Sequence, residues 1–294
     1  MNGVISKRQA WAFLAPTLFV LGVFGFLPFV YVIWVAFQNW NLFGNRGRVY
    51  TGADNFRTLV TDPAFLEALG RTLVFTAWTV VSTILLGFLL AKLLMRDFPG
   101  KSLFRGIHTL PLMIAPITVG ATWRLMTAQG FGPLPYYLDK WFGWELNLGR
   151  DPTQAFFAVV AMDVWHWTPL VTLTLLAGLA SLPREPFEAA RVDGASVLQT
   201  FRHITLPLLL PTLLTTVLLR MMDALRVVEE VFMLTGEGPA GATRFVGIHL
   251  WRQVFAKQAY GYGSAMSVLL LYFTIVLCWF LYVVSTGRRQ KASA

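Results

Sequence analysis

The sequence predicts an all-α, polytopic transmembrane helical bundle of six spans, on three observations. Of 294 residues, 56% are hydrophobic and only 13% charged, whereas a soluble domain carries about 25% charged residues. The apolar residues gather in blocks that reach the roughly 20 helical residues a bilayer core requires. The blocks are continuous rather than alternating, and in lipid a continuous run can satisfy its own backbone only as a helix. Eleven Trp and 24 Phe suit lipid contact and the aromatic belts of the two interfaces.

In chain order the blocks are Trp11–Phe37, Thr72–Leu94, Leu103–Met126, Ala155–Ala180, His203–Met222 and Gly261–Ser285. Lys7 and Arg8 precede the first. Its apolar run exceeds the roughly 7–15 residues of a secretory signal core and no small-residue cleavage site closes it, so it is expected to be a retained helix. Between the blocks lie loops near 38–70, 95–102, 127–154, 181–202 and 223–260. Turn residues (Asn45, Gly47 and Gly52; Gly130, Gly132, Pro133 and Pro135) punctuate the first and third. No repeat or linker divides the chain, which predicts one transmembrane domain over 11–285, between an N-terminal segment 1–10 and a tail 286–294. Cys278 is the single cysteine and lies in the last block, so neither a disulfide framework nor a thiolate metal cluster is expected.

Orientation follows from the bias of Lys and Arg toward cytoplasmic loops. With the N-terminus inside, the inner set holds Lys7, Arg8, Lys92, Arg96, Lys101, Arg105, Arg184, Arg191, Arg202, Arg288, Arg289 and Lys291 against Asp97, Glu185, Glu188 and Asp193. In the other loops acids and bases balance. Both termini are therefore expected in the cytoplasm. The net charge of +9 reflects this topology and gives no reason to invoke nucleic acid.

The segment 183–207 is the least ordinary loop. Pro186 can open a short helix, Glu188, Ala189, Ala190 and Arg191 favour it, and Gly194 can supply the turn that ends it. A second short helix is expected from about Ser196, carrying Val197, Leu198 and Phe201, with Pro207 at the entry to the fifth span. The pattern alone equally fits an amphipathic loop lying on lipid headgroups. Glu188-Ala-Ala, then Gly194 and Ile204-x-Leu206-Pro207, at this spacing, resembles the EAA loop of binding-protein-dependent ABC importer permeases. Tyr50-Thr-Gly-Ala-Asp-Asn-Phe56 with Asp62-Pro-Ala-Phe65, Val231-Phe-Met-Leu-Thr-Gly-Glu-Gly-Pro239 and Tyr260-Gly-Tyr-Gly-Ser-Ala-Met-Ser267 resemble segments of the carbohydrate branch of that family. The likeness is to the maltose and glycerol-phosphate transporter type, on the side of the permease pair that carries the Asp-Asn-Phe loop. Glu237 departs from the pattern, where glycine is commoner.

The resemblance implies a type I importer permease that pairs with a second, homologous permease, two ATPase subunits and an extracytoplasmic solute-binding protein, in a bacterial inner membrane. It implies that Glu188, Ala189, Ala190, Asp193 and Gly194 form a coupling helix against the ATPase, and that ATP and magnesium bind the partner subunits, with no cofactor in this chain. Consistently, Pro99-Gly-Lys-Ser102 is no phosphate-binding loop, because Met95 stands where the motif needs glycine. No nucleophile–base constellation suggests an enzyme.

Ionisable groups inside spans cost about 2.5–3.5 kcal/mol each on insertion scales and call for a partner or a wet cavity. Asp163, His166 and Trp167 share one face of the fourth span. Arg220 and Asp223 share a face near the end of the fifth, and Arg124 lies near the end of the third. These six are candidates for a polar translocation path in which carboxylates and Arg bind sugar hydroxyls and Trp stacks on a sugar ring. The alternative is structural: ion pairs such as Asp163 with Arg124 or with Arg220. Trp165 is expected to pack or to face lipid. The function expected is translocation of a sugar or sugar derivative. A permease for a non-sugar solute and a secondary transporter are the rivals.

Overall fold

The computed structural model describes residues 7–43 and 47–292, with the backbone alone at Lys7 and over 284–292. Asn45, Arg46 and the termini 1–6 and 293–294 lie outside the described residues, as do the side chains of Lys7, Arg288, Arg289 and Lys291 used in the charge count. The helices long and apolar enough to cross a membrane are Arg8–Ala36, Pro63–Leu94, Pro152–Ala180, Val197–Ala224 and Tyr260–Val283. Lys101–Met113 and Pro116–Met126 supply a sixth crossing if that bent pair counts as one. The all-α membrane architecture therefore stands; the one sheet among the described residues is a two-residue pairing of Gln38–Asn39 with Val49–Tyr50. By its internal contacts the chain falls into two compact units, residues 1–66 with 250–273, and residues 67–249 with 274–294.

In the first unit, Pro28 lacks an N–H and would crowd the carbonyl four residues back. The helix accommodates it with a π-turn over Gly22–Phe26, where Leu27 N–H bonds Gly22 O. Asn55 then closes the end of the span, because the last carbonyls of a helix have no partner within it. Its amide donates 2.8 Å bonds to both Ala36 O and Gln38 O, and Phe56 packs on Phe37 at 5.3 Å. Tyr260 stacks on Trp40 at 4.8 Å, and Arg48 lies 3.6 Å from the centroid of the Trp40 ring. Tyr262 Oη donates to Asp62 Oδ2 at 2.5 Å. A side chain at Gly261 would collide with Gln38 O. The Tyr50–Phe56, Asp62–Phe65 and Tyr260–Ser267 segments are thus knit together within this unit.

The helix Pro63–Leu94, most of it in the second unit, starts nine residues before the expected Thr72. Pro63 is tolerated in a first turn, and Asp62 Oδ1 accepts from Ala64 N–H at 3.0 Å. Glu67 and Arg71 pair at 3.1 Å on this polar prefix, whose charges hide it from a hydropathy reading. Buried Thr72, Thr79 and Thr83 donate to carbonyls one turn back at 2.7, 3.1 and 2.7 Å, so they need no partner on another helix. The core joins Phe75, Val119, Val159, Met162, Ala224, Val231 and Phe245, with Phe75 stacked on Phe245 at 4.6 Å. A second cluster joins Ala91, Val171, Leu175 and Leu209. Glycines let backbones approach there, as small residues do in membranes: Cβ atoms at Gly87 and Gly178 would meet Val171 Cγ1 at 2.6 Å and Thr212 Cγ2 at 2.7 Å.

Two expectations are corrected. The third span is not one helix over Leu103–Met126. It breaks at Ile114 and Ala115, both extended, and turns by 102°. Pro116 excludes the helical conformation from Ala115, and Pro111 sits in the 3-10 turn just before the break. Second, the short helix from Ser196 is no separate element, since Val197–Ala224 runs continuously. Pro207 falls in the helix without stopping it, because a π-turn over Phe201–Thr205 precedes it and Leu206 N–H reaches Phe201 O. The same device serves Pro28. The last helix runs from Tyr260 to Ala292, so the expected tail continues that helix as far as 292.

Candidate functional site

The loop 183–207 is built as the sequence suggests at its first half. A helix spans Glu185–Val192 with Pro186 in its opening turn. Gly194, at φ 69°, closes it with Gly194 N–H to Arg191 O at 3.2 Å and Ala195 N–H to Ala190 O at 2.9 Å, the paired bonds of a Schellman end. Ser196 then opens the next helix. Its Oγ accepts from Gln199 N–H at 3.3 Å, and the Gln199 Oε1 accepts from Ser196 N–H at 2.7 Å, a reciprocal capping box. Two local devices in sequence make a stiff elbow.

The outer surface of that elbow is apolar. Val192, Val197 and Leu198 are 89%, 80% and 73% exposed, together with exposed Glu188, Ala189 and Asp193, whereas Ala190 is buried. A cavity of about 380 Å³ lies in the angle, walled by Pro186, Ala189, Asp193, His203 and Ile204 among others. An exposed apolar tip ringed by charges is the form of a docking surface. Lys101, in the decoy segment, pairs with Asp97 at 3.1 Å.

The interior charges converge on one cluster in the second unit. Arg220 lies between two carboxylates, Nη2 at 2.6 Å from Asp163 Oδ1 and Nη1 at 2.7 Å from Asp223 Oδ2. The guanidinium also stands 5.2 Å from the centroid of the Trp167 ring, within cation–π range. Arg220 and Asp163 are 1% and 0% exposed at the side chain, whereas Asp223 is 40% exposed. Of the two ion pairs left open by the sequence, the one with Arg220 forms and the one with Arg124 does not. Arg124 is exposed and enters no ion pair among the described residues. His166 turns away from Arg220: its Nδ1 meets Glu230 Oε2 at 3.0 Å and its Nε2 meets Ile114 O at 3.2 Å. Trp165 rests near Trp123, ring centroids 6.1 Å apart.

A cavity of about 360 Å³ opens beside this cluster, lined by Pro116, Trp167, Asp223, Arg226, Glu229 and Glu230 among others. Trp167 and Asp223 therefore face it directly, while Asp163 and Arg220 stand behind them. Within the cluster, Asp163 Oδ2 and Arg220 Nε lack a hydrogen bond among the described residues. Glu230 is 3% exposed, although in the sequence it reads as one of two adjacent loop acids. A Cβ at Gly120 would collide with the Glu230 carbonyl, so the helix Glu229–Thr235 is pressed against the third span. Glu237, the departure noted above, pairs with Arg244, Nε at 2.8 Å.

A family model described as the inner membrane component of binding-protein-dependent transport systems matches residues 83–290. The trehalose/maltose transport system permease protein MalF of Thermococcus litoralis is 34% identical over 296 residues, covering 99% of each chain. The sn-glycerol-3-phosphate transport system permease protein UgpA of Escherichia coli is 30% identical over 291 residues and 97% of each chain. The multiple sugar-binding transport system permease protein MsmF of Streptococcus mutans is 30% identical over 91% of each. Among solved structures, a bacterial ABC transporter involved in import of the acidic polysaccharide alginate superposes with TM-score 0.80 at 20% identity over 96% of each chain.

Proposed function

Because the chain belongs to the family of binding-protein-dependent transport system inner membrane components, a multi-pass membrane subunit of an ABC importer, we propose the finer reading that it carries a carbohydrate and couples that movement to separate ATPase subunits. Sugar transport is in the names of relatives matched over 91–99% of their length. The observation that carries the coupling is the elbow at Gly194, whose tip of Val192, Val197 and Leu198 is too exposed to be left in water. Its occupant in this reading is a groove of the ATPase, with Glu188 pairing a basic residue there to fix register. ATP and magnesium belong to that partner, and this chain performs no hydrolysis. A second permease and an extracytoplasmic binding protein complete the assembly. The termini and the Gly194 elbow lie in the cytoplasm, and the cavity beside Asp223 faces the opposite side.

In the cavity, Trp167 offers a ring face to the apolar side of a sugar, and Asp223 accepts hydroxyl hydrogen bonds. Asp163 and Arg220 act one layer behind, orienting Asp223 and the Trp167 ring. His166 serves the wall, and Arg124 joins the path only at an exposed edge. The test is uptake of labelled trehalose, maltose and glycerol 3-phosphate by the complex reconstituted in liposomes with its partner subunits. ATP-dependent accumulation of one of these that is lost in Trp167→Ala supports the reading. Accumulation without ATP, or unaffected by Trp167→Ala, overturns it.

A further inference from the structure

We propose that His166 and Glu230 share a proton and together position the break of the third span, so that a buried acid–base pair holds the bend at Ile114. The break leaves one backbone carbonyl to be served from outside. In a continuous helix Thr118 N–H would bond Ile114 O, but here it goes to Ala115 O at 2.9 Å. Ile114 O instead receives His166 Nε2 at 3.2 Å. A carbonyl only accepts, so Nε2 must carry a hydrogen. The other ring nitrogen faces a carboxylate oxygen, Glu230 Oε2, at 3.0 Å. That contact also needs one hydrogen, owned by either Nδ1 or the carboxyl. Whichever atom holds it, the pair carries two protons and no net charge, which suits side chains 1% and 4% exposed.

The far side of the break is tied to the same element. Gly120 meets the Glu230 backbone so closely that a Cβ would collide with it. Glu230 thus grips the third span after the break through its backbone and before the break through His166. The other charged groups around the pair are Asp163 on the fourth span, Arg220 and Asp223 on the fifth, and Glu229 beside Glu230. His108, on the segment before the break, bonds Thr172 Oγ1 at 3.0 Å. Asp163, Arg220 and Asp223 are engaged with one another, Asp163 also interacts electrostatically with both His166 and Glu230, and Arg226 lines the same cavity as Glu230.

Glu230→Gln keeps the contact without the carboxylate: its amide N–H donates to Nδ1, and a neutral imidazole keeps its Nε2–H for Ile114 O, so both bonds persist. Glu230→Leu removes the partner that fixes the ring, and His166→Leu removes both bonds.

The test is hydrogen–deuterium exchange of the peptide covering residues 117–122 in the purified, lipid-embedded complex. His166→Leu and Glu230→Leu are expected to exchange faster than the wild type by about fivefold or more, and Glu230→Gln to stay close to it. A His166→Leu or Glu230→Leu protein protected like the wild type, or a Glu230→Gln protein as fast as Glu230→Leu, overturns the proposal. If His166→Leu does not assemble, the comparison of wild type, Glu230→Leu and Glu230→Gln decides alone. Exchange requires no transport, so the pair can fail while the sugar reading stands, and the reverse.

Discussion

Asp163 is fully buried against Arg220 at 2.6 Å, and Arg220 has a second carboxylate in Asp223. Removing one partner of a buried pair leaves the other charge uncompensated, typically at about 3–5 kcal/mol. Asp163→Asn keeps shape and leaves Arg220 its bond to Asp223, so a loss toward the lower end, about 3 kcal/mol, is expected in thermal unfolding of the complex. The double change Asp163→Asn with Arg220→Gln should recover part of it, because the one charge then left unpaired, Asp223, is 40% exposed rather than buried. A single mutant as stable as wild type would contradict the pair. Asp223, 40% exposed and facing the cavity, should behave in the opposite way: Asp223→Asn lowers uptake by more than tenfold while shifting unfolding little. The partners of Asp163 were open in the sequence because two arginines lay near the ends of neighbouring spans, and only the fold distinguishes them. Glu230 was not legible at all, since an acid between apolar segments reads as solvated until a helix is seen to press it inward.

At the level of elements, length and composition determine the spans because a bilayer sets a minimum run of apolar residues. What that rule cannot see is a polar extension or a break. The helix from Pro63 was hidden by Glu67 and Arg71, and the bend at Ile114 by an unbroken apolar composition, although Pro111 and Pro116 were in plain view. Pro207, expected at the entry to the fifth span, falls inside a helix that begins at Val197 and is absorbed by a π-turn. The joints between elements are the sensitive points. Gly194 at φ 69° is in the left-handed region, which costs an L-residue about 1–2 kcal/mol. Gly194→Val should therefore leave the spans inserted but splay the elbow, read as increased protease cleavage between 192 and 198. Unchanged cleavage would show that the glycine conformation is dispensable. Gly120→Leu should prevent the helix Glu229–Thr235 from seating, and lower the yield of assembled complex sharply; normal yield would contradict that contact.

For the whole molecule, family and membrane architecture were readable in the sequence because they rest on motif spacing and apolar length rather than on individual contacts. The aromatic and acid–tyrosine contacts of the first unit were not, since Trp40 meets Tyr260 and Asp62 meets Tyr262 across some two hundred residues of chain. Reporters at Ser196 and after the last helix are expected on the cytoplasmic side, and reporters at Gly52, Lys140 and Gly241 on the other. The central claim is that the Gly194 elbow hands the work of a separate ATPase to this chain, and one measurement tests it most directly: the ATPase subunit recovered when the complex is purified through this chain carrying Val197→Asp and Leu198→Asp. The predicted result is a loss of about tenfold or more in recovered ATPase, the equivalent of only about 1.4 kcal/mol, with membrane insertion of the chain unchanged. Undiminished recovery of the ATPase, with ATP-driven uptake at the wild-type rate, would contradict it.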